Sequence, residues 1–245
     1  MVINKPQSRT EYKNRIADPS SELEAYLGCK IVRRKYRIFK RIFDILLSLF
    51  GIIVFSPVVL IISIAILIED GPPVLFRQPR MGLHNKVFNL LKFRSMRKGA
   101  EKGKPVLAEV NDSRITGTGK IIRSMAFDEM PQLINILRGQ LSFVGPRPER
   151  PELVEEIIKS YPNFTIRNIV KPGLTGMAQV YGNYDSCPYM KLKYDLFYIQ
   201  KWNFWLDIKL LFKSLWITFQ ASWNKRTKRV RFIRQKIKKV KNILK

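Results

Sequence analysis

The segment IFDILLSLFGIIVFSPVVLIISIAILIED, from Ile42 to Asp70, constrains this chain more than any other. Within it, Ile45 to Ile68 is a run of 24 residues without a charge. As a straight helix that run would extend about 36 Å, enough to cross a hydrocarbon core of about 30 Å. Ser56 and Pro57 stand at its midpoint. Proline lacks a backbone donor and crowds the carbonyl four residues earlier, so a kink or break is expected there. Each half, about 18 Å long, would reach only partway into a bilayer. Both flanks are basic: residues 30–41 carry seven cations, and Arg77, Arg80, Lys86, Lys92 and Arg94 come after the run. Basic flanks favour the cytoplasmic side. The favoured expectation is therefore a re-entrant helix-break-helix over 40–70, with Ser56 and Pro57 as the membrane break. A proline-kinked spanning helix and a buried core helix remain as alternatives, because neighbours can repair the bonding around proline.

Composition narrows the partners. Lys and Arg number 45 against 19 Asp and Glu, a formal net charge of +26. Such a field draws nucleic acid, anionic lipid or phosphorylated substrates without choosing among them. Two cysteines, Cys29 and Cys187, do not make a disulfide framework or a cysteine-built zinc site. A chain of 245 residues supports one sizeable core without demanding two domains.

Around the apolar run the chain divides into a polar and basic arm (1–39), a mixed region (71–223) and a basic tail (224–245). Residues 1–28 contain no apolar stretch of the kind a signal peptide needs. Past Asp70, alternating apolar and basic residues with a turn at Leu83 to Lys86 predict short strands or a hairpin. Helical periodicity returns in DEMPQLINILRGQL and ELVEEIIKSY, then over a long aromatic stretch from about Met190 to Trp223. Trp202, Trp205, Trp216 and Trp223 all lie in that stretch, which predicts either amphipathic surface helices at headgroup level or aromatic core packing. The tail from Lys225 to Lys245 has eleven basic residues and no acid, which suits anionic lipid and equally a solvated or nucleic-acid-binding tail. The fold class expected is α+β, mainly helical. His84, the sole histidine, falls in the predicted turn and reads as an exposed turn residue.

Asp128 and Glu129 precede Met130-Pro131 and the apolar positions Leu133, Ile134, Ile136 and Leu137. Proline near a helix start is tolerated, so both carboxylates are expected at the positive end of a helix, where they stay ionised. An ionised carboxylate can attack phosphorus, and its neighbour can hold a divalent cation that neutralises phosphate oxygens. An acid pair at a helix start is by itself only what a helix prefers. Here, however, Gly145-Pro146-Arg147-Pro148 sets a guanidinium between two residues of fixed φ, suited to a bidentate phosphate contact. Arg123 and the cluster KFRSM, Lys92 to Met96, supply further cations.

With these pieces in hand, the chain resembles the bacterial sugar transferase family, monotopic phosphoglycosyl transferases acting on polyprenol phosphate. The resemblance runs from about Lys40 to Phe219. It is carried in order by KRIFD, the Ser56-Pro57 pair, FRQPRMG, KFRSM, NDSRITGTGKIIR, DEMPQLINILRGQLSFVGPRPE, KPGLTGMAQVYG and KYDLFYIQKWNFWLDIKLL. It implies a two-step exchange. Asp128 would attack the sugar-bearing phosphate of a nucleoside diphosphate sugar, a UDP-sugar by expectation, release the nucleoside monophosphate and hold a covalent sugar-phosphate. Polyprenol phosphate would then accept the group, initiating exopolysaccharide, capsule or glycan assembly. Glu129 would hold Mg²⁺, and Arg147, with Arg123 as helper, would bind phosphate. The implied location is the cytoplasmic face of the bacterial inner membrane, with membrane lipid and no nucleic acid as partner.

The chain departs from the family pattern around the acid pair, where Ala126, Phe127 and Met130 stand in place of Ser, Leu and Leu. Loss of the Ser removes an expected helix cap, worth about 1 kcal/mol. Tyr181 and Asn183 stand where many members carry Asn and Arg, a difference that bears on sugar choice. Two other classes compete with the enzyme: a membrane-tethered nucleic-acid binder, whose affinity would survive Asp128→Asn and fall steeply with salt, and a scaffold for polysaccharide export, which would tolerate that change but need the helices after residue 190.

Overall fold

The computed structural model describes residues 34–100, 112–182 and 187–220. The arm up to residue 33, Cys29, Asn183, Trp223 and the basic tail lie outside them. Helix α1 covers Arg34–Asp70, so the last part of the basic arm already belongs to it. Helical residues continue through Ser56 and Pro57, so the expected break does not divide the helix there. The physical reason is local. Pro57 cannot donate to the Ile53 carbonyl, and the Ser56 hydroxyl donates to that oxygen instead, at 2.8 Å.

Beyond α1 the chain is mainly helical, with two small sheets. Strands β1 (Leu75–Met81) and β2 (Val87–Phe93) form an antiparallel hairpin in the register Leu75↔Phe93 to Met81↔Val87. Its turn is the 3₁₀ segment Leu83–Asn85, where His84 and Asn85 take positive φ and His84 is exposed, as expected. Helix α2 spans Gly117–Ser124, capped by the Thr116 hydroxyl accepting from the Gly119 amide. A 3₁₀ turn, Phe127–Glu129, leads to the short α3, Gln132–Leu137. Strand β3 (Ser142–Val144) pairs in parallel with β4 (Gly173–Thr175). Between them lie α4 (Pro151–Ser160) and a 3₁₀ stretch, Pro162–Ile169. Helices α5 (Met177–Tyr181), α6 (Pro188–Lys201) and α7 (204–220) complete the described order. The aromatic stretch expected to be helical is, within the described residues, these two helices α6 and α7, separated by the non-helical Trp202 and Asn203.

The main core gathers Ile136, Leu141, Val144, Ile166, Ile169, Tyr198 and Leu210, so α3, β3, the 3₁₀ stretch, α6 and α7 share one interior. A second core joins Ile62 and Ile66 of α1 to Phe93 and Ile122, with Phe127 and Met130 packed against it. The residues flanking the acid pair therefore anchor their turn on α1 just beyond Pro57.

Helix α1 is fixed to this body by polar bonds at both ends. Near its start, Lys40 bridges to Asp207 and Tyr36 donates to the same carboxylate, while Arg41 donates to the carbonyls of Ile136 and Leu137. At its end, Asp70 pairs with Arg94, and Glu69 accepts from the Gly117 and Thr118 amides at the start of α2. Between these anchors, Phe50, Ile53, Leu60 and Ile61 are all more than 60% exposed. On α7, Trp216 and Phe219 are exposed to a similar degree, and Trp205 more so. Exposed apolar faces of this extent mark contact with lipid or another protein. Helix α1 is long and apolar enough to cross a membrane, the only such helix among the described residues.

Candidate active site

The acid pair sits on the 3₁₀ turn immediately before α3, close to the expected helix start. Ala126 opens the turn at φ 58 with no side-chain cap, the left-handed region that a β-carbon disfavours. A buried side chain then holds the turn's neighbours in register. Asn135 of α3 accepts from the Leu91 amide and donates to the Asn89 carbonyl and to Gln140, all at 2.8 to 2.9 Å. This ties α3 to β2, the strand that carries Lys92.

Two cations meet at Glu129. Lys92 Nζ lies 3.0 Å and Arg147 Nη2 3.3 Å from its Oε1. The association of Arg147 with the acid pair, expected from sequence, is realised through Glu129. Arg123 is exposed at the end of α2 and acts on Asp128 through space, favouring its charged form. Lys92 was legible only as one member of a basic cluster. It shares a strand face with the buried Phe88 and Leu90, so alternation does not single it out, and its role appears only from its contact with Glu129.

The loop bearing Arg147 is held at every carbonyl. Pro146 O accepts from the Gly173 amide, Arg147 O from Arg167 Nη2, Pro148 O from Arg80 Nη1 and Glu149 O from the Met81 amide. Arg167 is itself buried against Asp195 at 3.1 Å. Glycines make the approach of β3 and β4 close enough for this. A β-carbon on Gly173 would lie 2.1 Å from the Gly145 nitrogen, and one on Gly176 2.1 Å from the Gly145 oxygen. The motifs FVGPRPE and KPGLTG are therefore two halves of one clamp. It presents Arg147, with a side chain 43% exposed, in a fixed direction. Sequence reasoning missed Arg80 and Arg167, since a side chain reaching a distant carbonyl leaves no local pattern.

The two adjacent carboxyls sit in opposite electrostatic settings. Burial would raise Glu129, but Arg147 and Lys92 outweigh it and bring the carboxyl down to about 2. Burial pushes Asp128 above the usual carboxylate range, Glu129 adds to the rise, and Lys92 and Arg123 oppose it. Glu129 is thus a locked anion, while Asp128 is the more basic partner. Environments that separate two carboxyls in this way assign them different roles.

Because the folded pKa of Glu129 lies below its unfolded value near 4.5, its contribution to stability is complete above that value. It is lost as pH falls toward about 2. Chemical denaturation across that window is expected to show a steeper loss of stability in wild type than in Glu129→Gln. Equal slopes would contradict the pairing.

Among the described residues no group of three or more His, Cys, Asp or Glu side chains gathers as a metal cage. The carboxylate oxygens of Asp128 and Glu129 are of the type that magnesium takes together with waters and substrate phosphate, and Glu129 Oε1 is shared here by Lys92 and Arg147. Glu129, ionised at any physiological pH, has the donor chemistry for that ion.

Residues 35–221 match the family model described as bacterial sugar transferase. A UDP-N-acetylgalactosamine-undecaprenyl-phosphate N-acetylgalactosaminephosphotransferase of Aeromonas hydrophila is 37% identical over 195 residues, covering 78% of this chain and 46% of that protein. A UDP-glucose:undecaprenyl-phosphate glucose-1-phosphate transferase of Klebsiella pneumoniae is 40% identical over 187 residues, 74% of this chain and 40% of the relative. An uncharacterized sugar transferase of Bacillus subtilis, EpsL, is 40% identical over 176 residues, 71% of this chain and 84% of its own. The chain thus spans less than half of the first two relatives and most of the third. With the acid pair, the clamped arginine loop and the long apolar helix all inside the matched region, the chain belongs to the bacterial sugar transferase family.

Proposed function

We propose that this protein transfers a sugar-1-phosphate from a nucleoside diphosphate sugar, a UDP-sugar, to polyprenol phosphate, with Asp128 as nucleophile. The observation that carries the reading is the acid pair itself, with Lys92 and Arg147 meeting Glu129 at 3.0 and 3.3 Å while Asp128 has no ion pair among the described residues, a setting in which burial raises Asp128 and the two cations hold Glu129 ionised. A more basic carboxylate is the better nucleophile, provided it is ionised when it reacts.

In the first step an Asp128 carboxylate oxygen bonds to the sugar-bearing phosphorus. The bond from that phosphorus to the oxygen of the nucleoside monophosphate breaks, and the monophosphate leaves with the electron pair. In the second step a phosphate oxygen of polyprenol phosphate bonds to the same phosphorus and the Asp128 oxygen departs, restoring the carboxylate and giving a polyprenyl diphosphate sugar. Arg147 faces the charge that gathers on the phosphoryl oxygens, and its clamped loop avoids reorganisation during the step. Arg123 contributes at longer range. Magnesium would be held by Glu129 with the substrate phosphates and would neutralise their oxygens. The names of the relatives support UDP-linked sugars as donors and undecaprenyl phosphate as acceptor. Exopolysaccharide, capsule or glycan initiation is the role consistent with such a product.

The same reading puts the protein at the cytoplasmic face of the bacterial inner membrane with α1 re-entrant, bent at Pro57 rather than divided there. Both polar ends of α1 bond to the body that comes after it, while its middle is apolar and exposed. A spanning helix would place those ends on opposite sides of a core about 30 Å thick. Tags before Lys30 and after Trp223 are expected to be accessible from the cytoplasm alone. Accessibility from opposite faces would establish a spanning helix instead.

Release of nucleoside monophosphate tests the function. With Mg²⁺, polyprenol phosphate and a panel of UDP-sugars, wild type is expected to release UMP from at least one donor only when acceptor is present at turnover stoichiometry. Release from none of a broad donor panel would remove the enzyme reading and favour a scaffold.

A further inference from the structure

A second cationic site lies away from the acid pair. A cavity of about 140 Å³ opens between the start of α1 and the segment Ile169 to Lys171. Arg37, Lys40, Arg41 and Lys171 line it, with Asp44 as the one carboxylate in its wall among the described residues. Val144, Val170 and Trp202 supply apolar lining. None of the residues around Glu129 takes part.

The charges in this cavity do not balance. Lys40 is engaged by Asp207 outside the lining. Asp44 Oδ1 accepts from the Ser142 hydroxyl and the Phe143 amide. Arg41 donates to two neutral carbonyls, Ile136 O and Leu137 O, both at 2.6 Å. Arg37 and Lys171 have no ion pair or hydrogen bond among the described residues. At the edge of the cavity, beside Gly139, Arg41 Nη2 and Lys171 Nζ lie 3.3 and 3.4 Å from the point where a side chain there would begin, so the two like charges are close neighbours. Burial lowers the Lys171 ammonium, and Arg41 lowers it further. Cations brought together at such a cost call for an anion.

We propose that this cavity binds a phosphate group, presented by a lipid headgroup or as free phosphate, between Arg37, Arg41 and Lys171. Its size suits that group and not a nucleotide sugar, which needs a pocket of roughly 300 Å³ or more. Arginine guanidinium and lysine ammonium are the donors that phosphate oxygens favour. Ile38, Phe39 and Ile42, each at least half exposed, lie on the same turns of α1 but on its opposite face, so the lipid probe tests whether a headgroup reaches the cavity around the helix.

The test uses the full chain in a zwitterionic detergent at near-physiological salt, with two probes: inorganic phosphate and water-soluble dihexanoyl phosphatidic acid. Binding is read by equilibrium dialysis for wild type, for Arg37→Gln/Lys171→Gln, and for Lys238→Gln/Lys239→Gln, which loses the same charge from the tail. The cavity variant is expected to bind at least one probe at least about tenfold more weakly than wild type, with the tail variant unchanged. Weakening for both probes assigns a general phosphate site. Weakening for the lipid alone assigns a headgroup site, and for inorganic phosphate alone a free-phosphate site. Identical binding of both probes to all three proteins would overturn the proposal, as would equal weakening in the tail variant. Melting without phosphate separates a binding role from a structural one. The cavity variant sheds repulsion and is expected to melt no lower than wild type, and to gain less from added probe. A large drop in its melting temperature without probe would mark Lys171 and Arg37 as structural and overturn the site.

Discussion

Asp128→Asn is expected to lower UMP release by about four orders of magnitude while leaving the fold intact. The amide keeps the size and a hydrogen-bonding oxygen but lacks the electron-rich oxygen that would bond to phosphorus. Its structural cost is small, because Asp128 makes no ion pair among the described residues and its ionised form is already disfavoured by burial. Melting temperature and far-ultraviolet circular dichroism should therefore match wild type while turnover vanishes. The contrast with Glu129→Gln is informative. That change leaves Lys92 and Arg147 without their shared carboxylate, so it should disturb both stability and turnover. Activity in wild type should also fall on the acid side as Asp128 takes up its proton. That limb should lie above the ordinary aspartate range, since burial raises this carboxyl. Residual turnover within tenfold of wild type in Asp128→Asn would exclude it as nucleophile.

Asp207→Ala carries the largest expected loss of stability, about 3–5 kcal/mol. This carboxylate, only 5% exposed, accepts from Lys40 at 2.5 Å, Tyr36 at 2.9 Å, Tyr198 at 2.7 Å and Trp202 at 3.3 Å. Removing it strands the Lys40 ammonium, whose side chain is 10% exposed, and takes an acceptor from the half-buried Tyr36 hydroxyl, while the Tyr198 hydroxyl keeps only the Val144 carbonyl. The damage would fall on the union of α1 with α7, since Lys40 and Tyr36 come from one and Asp207 from the other. Asp207→Asn should recover part of the loss, because it keeps an acceptor for a tyrosine but not the charge. Lys40→Met combined with Asp207→Asn should be less destabilised than the sum of the single changes, since the stranded charge is gone. Denaturation in detergent measures wild type, the two Asp207 variants, Lys40→Met and the double variant. A loss below about 1 kcal/mol for Asp207→Ala would show that α1 is held by its apolar contacts alone.

How much of the fold was legible in the sequence depends on the range of the interactions involved. The hairpin turn at Leu83 to Lys86, the helix after Met130-Pro131 and the helix over Pro151–Ser160 all announce themselves through local periodicity and turn residues. The acid pair and Arg147 were visible because unusual neighbours surround them: a proline after one, prolines on both sides of the other. A helix continuing through Pro57 stood only as the alternative to a break, because its continuity depends on one hydroxyl, that of Ser56, reaching a carbonyl that proline leaves free. The pairing of β3 with β4 was invisible as well. Two strands of three residues, far apart in the chain, meet through glycines whose importance appears only when a β-carbon is placed between them. Lys92, Arg80 and Arg167 acquire their roles through partners supplied by other segments, and such roles cannot be read from spacing. The Asp207 hub has the same character, joining KRIFD to the WNFWLDIKLL segment across the fold.

Intact-protein mass after mixing purified protein with Mg²⁺ and UDP-sugars, without lipid acceptor, tests the central claim most directly. Wild type is expected to gain the mass of one sugar-phosphate with a usable donor, to lose it when polyprenol phosphate is added, and to yield a modified peptide containing Asp128; Asp128→Asn should gain none. An adduct on the Asp128→Asn protein, or UMP release with acceptor while wild type never carries an adduct, would contradict a covalent exchange through this aspartate.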